Sequence, residues 1–253
     1  MRLQGKTALI AGAGRNNGKA IAITFAREGA DLILVSRKRG EELSQVAKEC
    51  EKLGAKVLPL LADVSKPEEV NRIVQQGLDR FGKVDIPVSV TGIRRHKPFW
   101  EISNEEWLEV FAVNLHSTFY LAKALAPSMM KRRTGSIIAL GGLASMTSQP
   151  QRAHVVASKT GLYGLIKSLA LELGPCGIRA NLIALSLIVN QRLNPEWYPE
   201  AGGDPHTRTE IEGTALKREG TREEVANVAL FLASDESSYV TGDRIICAGG
   251  KYM

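Results

Sequence analysis

The sequence predicts a doubly wound parallel α/β sheet, and three observations carry that reading. Short apolar, β-branched runs alternate with longer amphipathic segments almost to the end of the 253 residues. The runs are nearly all apolar, as strands covered by helices on both faces require. Cap-and-acid signals open several helical segments, and glycines sit just past the ends of others.

Taken in order, the strands are expected at Thr7 to Ala11, Asp31 to Ser36, Lys56 to Leu61, Asp85 to Val90, Ser136 to Leu140, Arg179 to Ala184 and Arg244 to Cys247. Between them, helices are expected at Gly18 to Glu28, Glu41 to Leu53, Pro67 to Phe81, Asn104 to Lys131, Ala153 to Leu173 and Arg222 to Ala233. Ser65-Lys66-Pro67-Glu68 reads as an N-cap followed by a proline at the first helical position. Ser103-Asn104-Glu105-Glu106 and Thr221-Arg222-Glu223-Glu224 repeat the cap-and-acid pattern. Gly29, Gly54 and Gly82 stand where a helix end wants a left-handed residue. One stretch, 190–213, breaks the rhythm with prolines and glycines and reads as a long irregular insertion over a binding site. It includes Trp197 and Tyr198, which either close an apolar lid or pack on the body of the protein. The last helix and strand are needed to finish the sheet, so residues 1–253 read as one domain.

With 44% hydrophobic and 24% charged residues, the composition excludes a disordered chain and a fibrous repeat. Three scattered cysteines without a CxxC exclude a disulfide framework and give no zinc signature. No apolar stretch reaches the roughly 18 residues of a membrane span, and no signal-peptide layout opens the chain. A soluble, cytoplasmic protein is expected. The net charge of +6 comes in short groups such as Arg94-Arg95-His96-Lys97 and Lys131-Arg132-Arg133. These read as solvated turns rather than as a nucleic-acid stripe, because no aromatic residues are interleaved.

The first strand runs into Ala11-Gly12-Ala13-Gly14-Arg15-Asn16-Asn17-Gly18, which opens a helix. Glycines there permit a tight turn and bring the backbone against a pyrophosphate seated on the helix N-terminus. The second strand ends in Ser36-Arg37-Lys38-Arg39. A hydroxyl and a guanidinium at that place suit a ribose 2′-phosphate, whereas an acid would repel it, so NADP(H) is favoured over NAD(H). Arg15 is placed to reach the same phosphate.

These motifs, with Asp63-Val64, Val113-Asn114-Leu115, Ala157-Ser158-Lys159, Gly177-Ile178-Arg179-Ala180-Asn181 and Tyr239-Val240-Thr241-Gly242, resemble the short-chain dehydrogenase/reductase family over nearly the whole chain. The resemblance implies a single-domain Rossmann fold of about seven strands, a homotetramer or homodimer built through its long fourth and fifth helices, and hydride transfer between NAD(P) and a small carbonyl or alcohol. It also implies cofactor contacts from Gly12, Gly14, Arg15, Asn17, Gly18, Ser36, Arg37, Asp63, Val64, Thr91, Gly92, Lys159 and Ile188. Asp63 and Val64 would lie against the adenine.

In that family an asparagine positions a water and a serine holds the substrate oxygen. A tyrosine four residues before a lysine exchanges the proton, and the lysine lowers the tyrosine's pKa while binding the nicotinamide ribose. Asn114 and Lys159 match the first and last of these roles. Val155 stands where the tyrosine is expected and Gly142 where the serine is expected. Neither offers an exchangeable side-chain proton. Ser89-Val90-Thr91-Gly92, Leu185-Ser186 and the Asn16-Asn17 pair also depart from the pattern. Candidate substitutes are His154, Tyr163, Ser145, Thr147, Ser148, His96 and Lys159 itself. The resemblance therefore implies an oxidoreductase by descent, with conventional activity weak or lost. The alternatives are a regulatory module that binds the dinucleotide without turnover, or an enzyme of non-redox chemistry run by Lys159 or a loop residue.

Overall fold

The computed structural model describes residues 1–190 and 210–251. Most of the 190–213 insertion, with Trp197 and Tyr198, thus lies outside the described residues. The seven expected strands form one parallel sheet: β1 (Thr7–Ala11), β2 (Asp31–Ser36), β3 (Val57–Leu61), β4 (Ile86–Ser89), β5 (Gly135–Leu140), β6 (Ile178–Leu185) and β7 (Arg244–Cys247). Their order is β3-β2-β1-β4-β5-β6-β7. The chain winds outward from β1 in one direction, then returns to β4 on its other side and winds the opposite way. That reversal leaves a crevice beyond the carboxyl ends of β1 and β4.

Alternation along the strands divides the core into two layers. Ala8, Ile10, Leu32 and Leu34 face α1 (Asn16–Arg27), α2 (Gly40–Glu51) and the last helix. Leu9, Ala11, Ile33 and Val35 face the opposite layer, which includes α3 (Pro67–Phe81). All eight strand residues are fully buried or within 1% of it, which fixes the register by hydrophobic burial on both faces.

Helix ends follow the sequence in most places. The Ser103 hydroxyl accepts from the Glu106 N–H, and Thr221 and Glu224 complete a reciprocal capping box at the last helix (Arg222–Ala233). Gly29, Gly54 and Gly82 all have φ between +73° and +93°. Ser65 is a correction. The residue flanking α3 is Lys66, and the Ser65 hydroxyl is instead held by Asp63 Oδ1 at 2.6 Å.

The expected single helix from Asn104 to Lys131 is the larger correction. It divides into α4 (Asn104–Phe111), a π-type turn at Ala112–His116, and α5 (Ser117–Arg132). The wider turn carries Asn114, which is 1% exposed. A π-bulge re-aims a side chain without ending a helix, and periodicity alone gives no sign of it. The α6 helix (Ala153–Leu173) follows β5, and the Arg222–Ala233 helix is α7. Among the described residues, no helix is long and apolar enough to cross a membrane, and no group of histidines, cysteines and acids has metal-ligand geometry.

Candidate active site

A cavity of about 980 Å³ occupies the crevice beyond β1 and β4. Gly12, Gly14, Arg15, Asn17, Ser36 and Arg37 line one end of it. Asp63, Val64, Thr91, Gly92, Lys159 and Ile188 continue the wall. Gly18 and Asn114, both expected at the site, lie behind that wall.

Gly18 is needed for a packing reason. A Cβ there would sit 2.0 Å from the Gly12 carbonyl oxygen, so any side chain would force the turn away from the helix. Gly12 itself has φ +93°, which a side chain resists. Asn16 has φ +50°, and asparagine is among the few residues that accept this region, which explains how it replaces a glycine. A Cβ on Gly14 would lie 3.4 Å from the Ser36 hydroxyl, so the missing side chain keeps that hydroxyl open to the cavity. The first turn of α1 contains no acid, leaving its positive end uncompensated. Asn17 is 8% exposed, and its Oδ1 has no hydrogen-bond partner among the described residues. An open glycine cradle, an uncompensated helix N-terminus and a buried amide seeking a partner fit a bound pyrophosphate.

Arg37 and Asp63 meet at this end, with 3.8 Å between Nη1 and Oδ2. Partial burial works against ionisation of Asp63. The Ser65 hydroxyl and N–H, with Arg37 beside them, outweigh it and hold the carboxyl below its ordinary range.

At the other end, Lys159 is 8% exposed and donates to the Leu140 carbonyl at 3.0 Å. Desolvation lowers its pKa to about 8. Asn114 Nδ2 donates to the Ile93 carbonyl and the Ser158 hydroxyl, both at 3.1 Å, and Oδ1 accepts from the Ile93 N–H at 2.8 Å. Its amide is thus consumed in tying the π turn to the 92–94 loop and to α6.

Val155 lies one helical turn before Lys159 and lines the same cavity while packing on Ile93, Val110 and Val113. Gly142 also lines it, in extended backbone at φ −168°. Most candidate substitutes fall elsewhere. His154 is fully buried beside Glu106, with 3.7 Å between Nε2 and Oε1, and burial pushes its pKa down. Tyr163 lies under the Arg244 and Lys167 cations, away from the cavity wall. The Ser145 hydroxyl donates to the Gly142 carbonyl. Thr147 and Ser148 do reach the wall, and the Thr147 hydroxyl donates to the Leu143 carbonyl.

The basic cluster at 94–97 is only partly a solvated turn. Arg95 and Lys97 pair with Glu109 and Glu106 on α4, whereas Arg94 lines the cavity. Arg152, which sequence reading passed over, lines it too, and its Nε donates to His96 Nε2 at 3.1 Å. The available signal was position: both residues lie in loops that follow the carboxyl ends of strands beside the crevice.

The sequence model of the family described as enoyl-(acyl carrier protein) reductase matches residues 12–251. The 3-oxoacyl-[acyl-carrier-protein] reductase of Thermotoga maritima is 37% identical over 250 residues, 99% of each chain. This chain belongs to the short-chain dehydrogenase/reductase family. The corresponding Escherichia coli reductase is 34% identical over 255 residues, covering 100% of both chains. Among solved members of the family, levodione reductase superposes with a TM-score of 0.93 at 28% identity, covering 99% of this chain and 98% of its own. A short-chain alcohol dehydrogenase from Sinorhizobium meliloti, so described from its crystal structure, gives 0.92 at 29% identity, covering 98% and 97%.

Proposed function

We propose that this short-chain dehydrogenase/reductase binds NADP(H) in the cavity and lacks the side chains through which its family moves the proton, so that conventional carbonyl–alcohol hydride transfer is slow or absent. The observation that carries this reading is the wall around Lys159. Val155 and Gly142 present methyl groups and bare backbone where a proton donor and an oxygen-holding hydroxyl are expected.

When bound, the nicotinamide supplies or takes the hydride. The chain's own part is to hold and orient. The glycine turn with Asn17 and the α1 N-terminus takes the pyrophosphate, Arg15 reaches toward the 2′-phosphate, and Gly18 lets that helix begin against the turn. Ser36 and Arg37 take the 2′-phosphate, while Asp63 and Val64 border the adenine. Thr91, Gly92, Ile188 and Lys159 border the nicotinamide riboside, with Asn114 fixing the loop behind them. The relatives named 3-oxoacyl reductases support a small carbonyl compound as the substrate or ligand. Exposed Phe119 on α5 and Leu171 on α6 support a homodimer or homotetramer through these helices.

A positioned acid or base is worth about 10²- to 10⁴-fold in rate, and an oxyanion-type hydrogen bond a further ~10²–10³. Losing both leaves little beyond hydride positioning. The test is fluorescence titration with NADPH and NADH, followed by a panel of ketones and 3-oxoacyl thioesters with the wild type. Tighter binding of NADPH with slow or undetectable reduction is expected. Reduction at an ordinary reductase rate overturns the reading. Tight binding without any turnover selects the regulatory alternative, and turnover of a substrate without NADPH oxidation selects non-redox chemistry.

A further inference from the structure

Resting on the dinucleotide reading above, we propose that Lys159 itself exchanges the proton with the oxygen of the reacting carbonyl, giving the protein a slow, phenol-free reductase activity. Lys159 borders the cavity together with Val155, Leu140 and Gly92. A Cβ on Gly92 would lie only 3.4 Å from Nζ, so the glycine keeps a side chain from crowding the amine. An ammonium carries three protons, and the Leu140 carbonyl takes one of them.

No carboxylate holds this amine among the described residues. The acids on the cavity wall are Asp63 and Glu210, and they pair with Arg37 and Lys251. Charged and titratable groups on the surrounding elements include Arg152 at the start of α6 and His154, Tyr163 and Lys167 along it, Glu105, Glu106 and Glu109 on α4, His116 in the π turn, and Arg94, Arg95, His96 and Lys97 in the loop after β4. Desolvation alone accounts for the fall of the amine to about 8, close to where a proton donor and acceptor works best near neutral pH. Of the nearby hydroxyls, those of Ser145, Thr147 and Ser158 are engaged with backbone carbonyls, while Ser148 also lines the cavity.

The step balances. A bound reduced nicotinamide would supply the hydride to the carbonyl carbon, leaving the π electrons on oxygen. The oxygen takes a proton from the Lys159 ammonium. Alcohol, oxidised nicotinamide and neutral amine result, and the amine regains its proton from water.

The test uses the full chain saturated with NADPH and a 3-oxoacyl thioester as the probe carbonyl. Single-turnover reduction should fall about tenfold per pH unit above a midpoint of about 8, where the ammonium is lost. Lys159→Ala should lose at least about 100-fold and recover with added methylammonium, but not with tetramethylammonium, which fills space and carries no proton. Competitive acetylation read by mass spectrometry, without cofactor, should place the Lys159 midpoint near 8. A flat pH profile, equal rescue by both cations, a surface-like labelling midpoint, or bound NADPH with no turnover at all overturns the proposal alone. Failure of NADPH to bind, seen as no fluorescence change, overturns the dinucleotide reading and the proposal with it.

Discussion

A lysine buried without a carboxylate among the described residues is costly to the fold, and that cost is measurable apart from any activity. Lys159 has a folded pKa of about 8 against 10.5 for the free side chain. Below pH 8 the folded state must hold a desolvated ammonium, so the penalty is fully present. Between 8 and 10.5 the unfolded chain binds the extra proton, and stability therefore rises with pH. Lys159→Met, which keeps the stem and removes the charge, should stabilise the protein by about 3 kcal/mol at pH 7. The gain should vanish as pH approaches 10.5, and denaturant melts at several pH values would show it. A stability difference that does not change with pH would contradict the lowered pKa. At the other end of the cavity, Arg37→Glu should weaken NADPH about 10- to 100-fold while changing NADH much less, because a charge-assisted hydrogen bond is replaced by repulsion. Equal losses for both nucleotides, by fluorescence titration, would remove Arg37 from the 2′-phosphate site.

Elements set where these residues stand, and the glycine turn is the tightest of them. Gly18→Ala places a methyl 2.0 Å from a backbone oxygen and should cost about 3 kcal/mol of stability, measured by thermal or denaturant unfolding. The π turn makes a similar demand. Asn114→Ala strips partners from both polar groups of the Ile93 backbone and should cost about 1–3 kcal/mol, with faster amide exchange at residue 93. All seven strands and most helices were legible because burial on both faces leaves continuous apolar runs, and caps mark the ends. The π turn was not, since five residues at 112–116 keep a helical pattern while one of them turns inward. Nor was the fate of Ser65, where Asp63 competes for the hydroxyl that a helix cap would use. Arg94 and Arg95 are adjacent and alike in sequence, yet one lines the cavity and the other pairs with Glu109 on α4. Only the packing of that helix tells them apart.

At the scale of the molecule, the reversal of strand order between β1 and β4 brings together residues from six different connections. The sheet supplies the cavity whatever chemistry is run in it, so the family's fold does not by itself fix what the wall does. That wall accepts restoration. A Cβ on Gly142 would meet nothing closer than 3.5 Å, in a backbone conformation open to any residue, and Val155 already borders the cavity. The most direct measurement is the single-turnover rate of 3-oxoacyl thioester reduction by NADPH in the wild type and in the Gly142→Ser/Val155→Tyr double variant. A slow wild type and a gain of about 100-fold or more in the double variant is the predicted result. A wild type already at the rate of an ordinary reductase, with no gain on restoring the serine and tyrosine, would contradict the account.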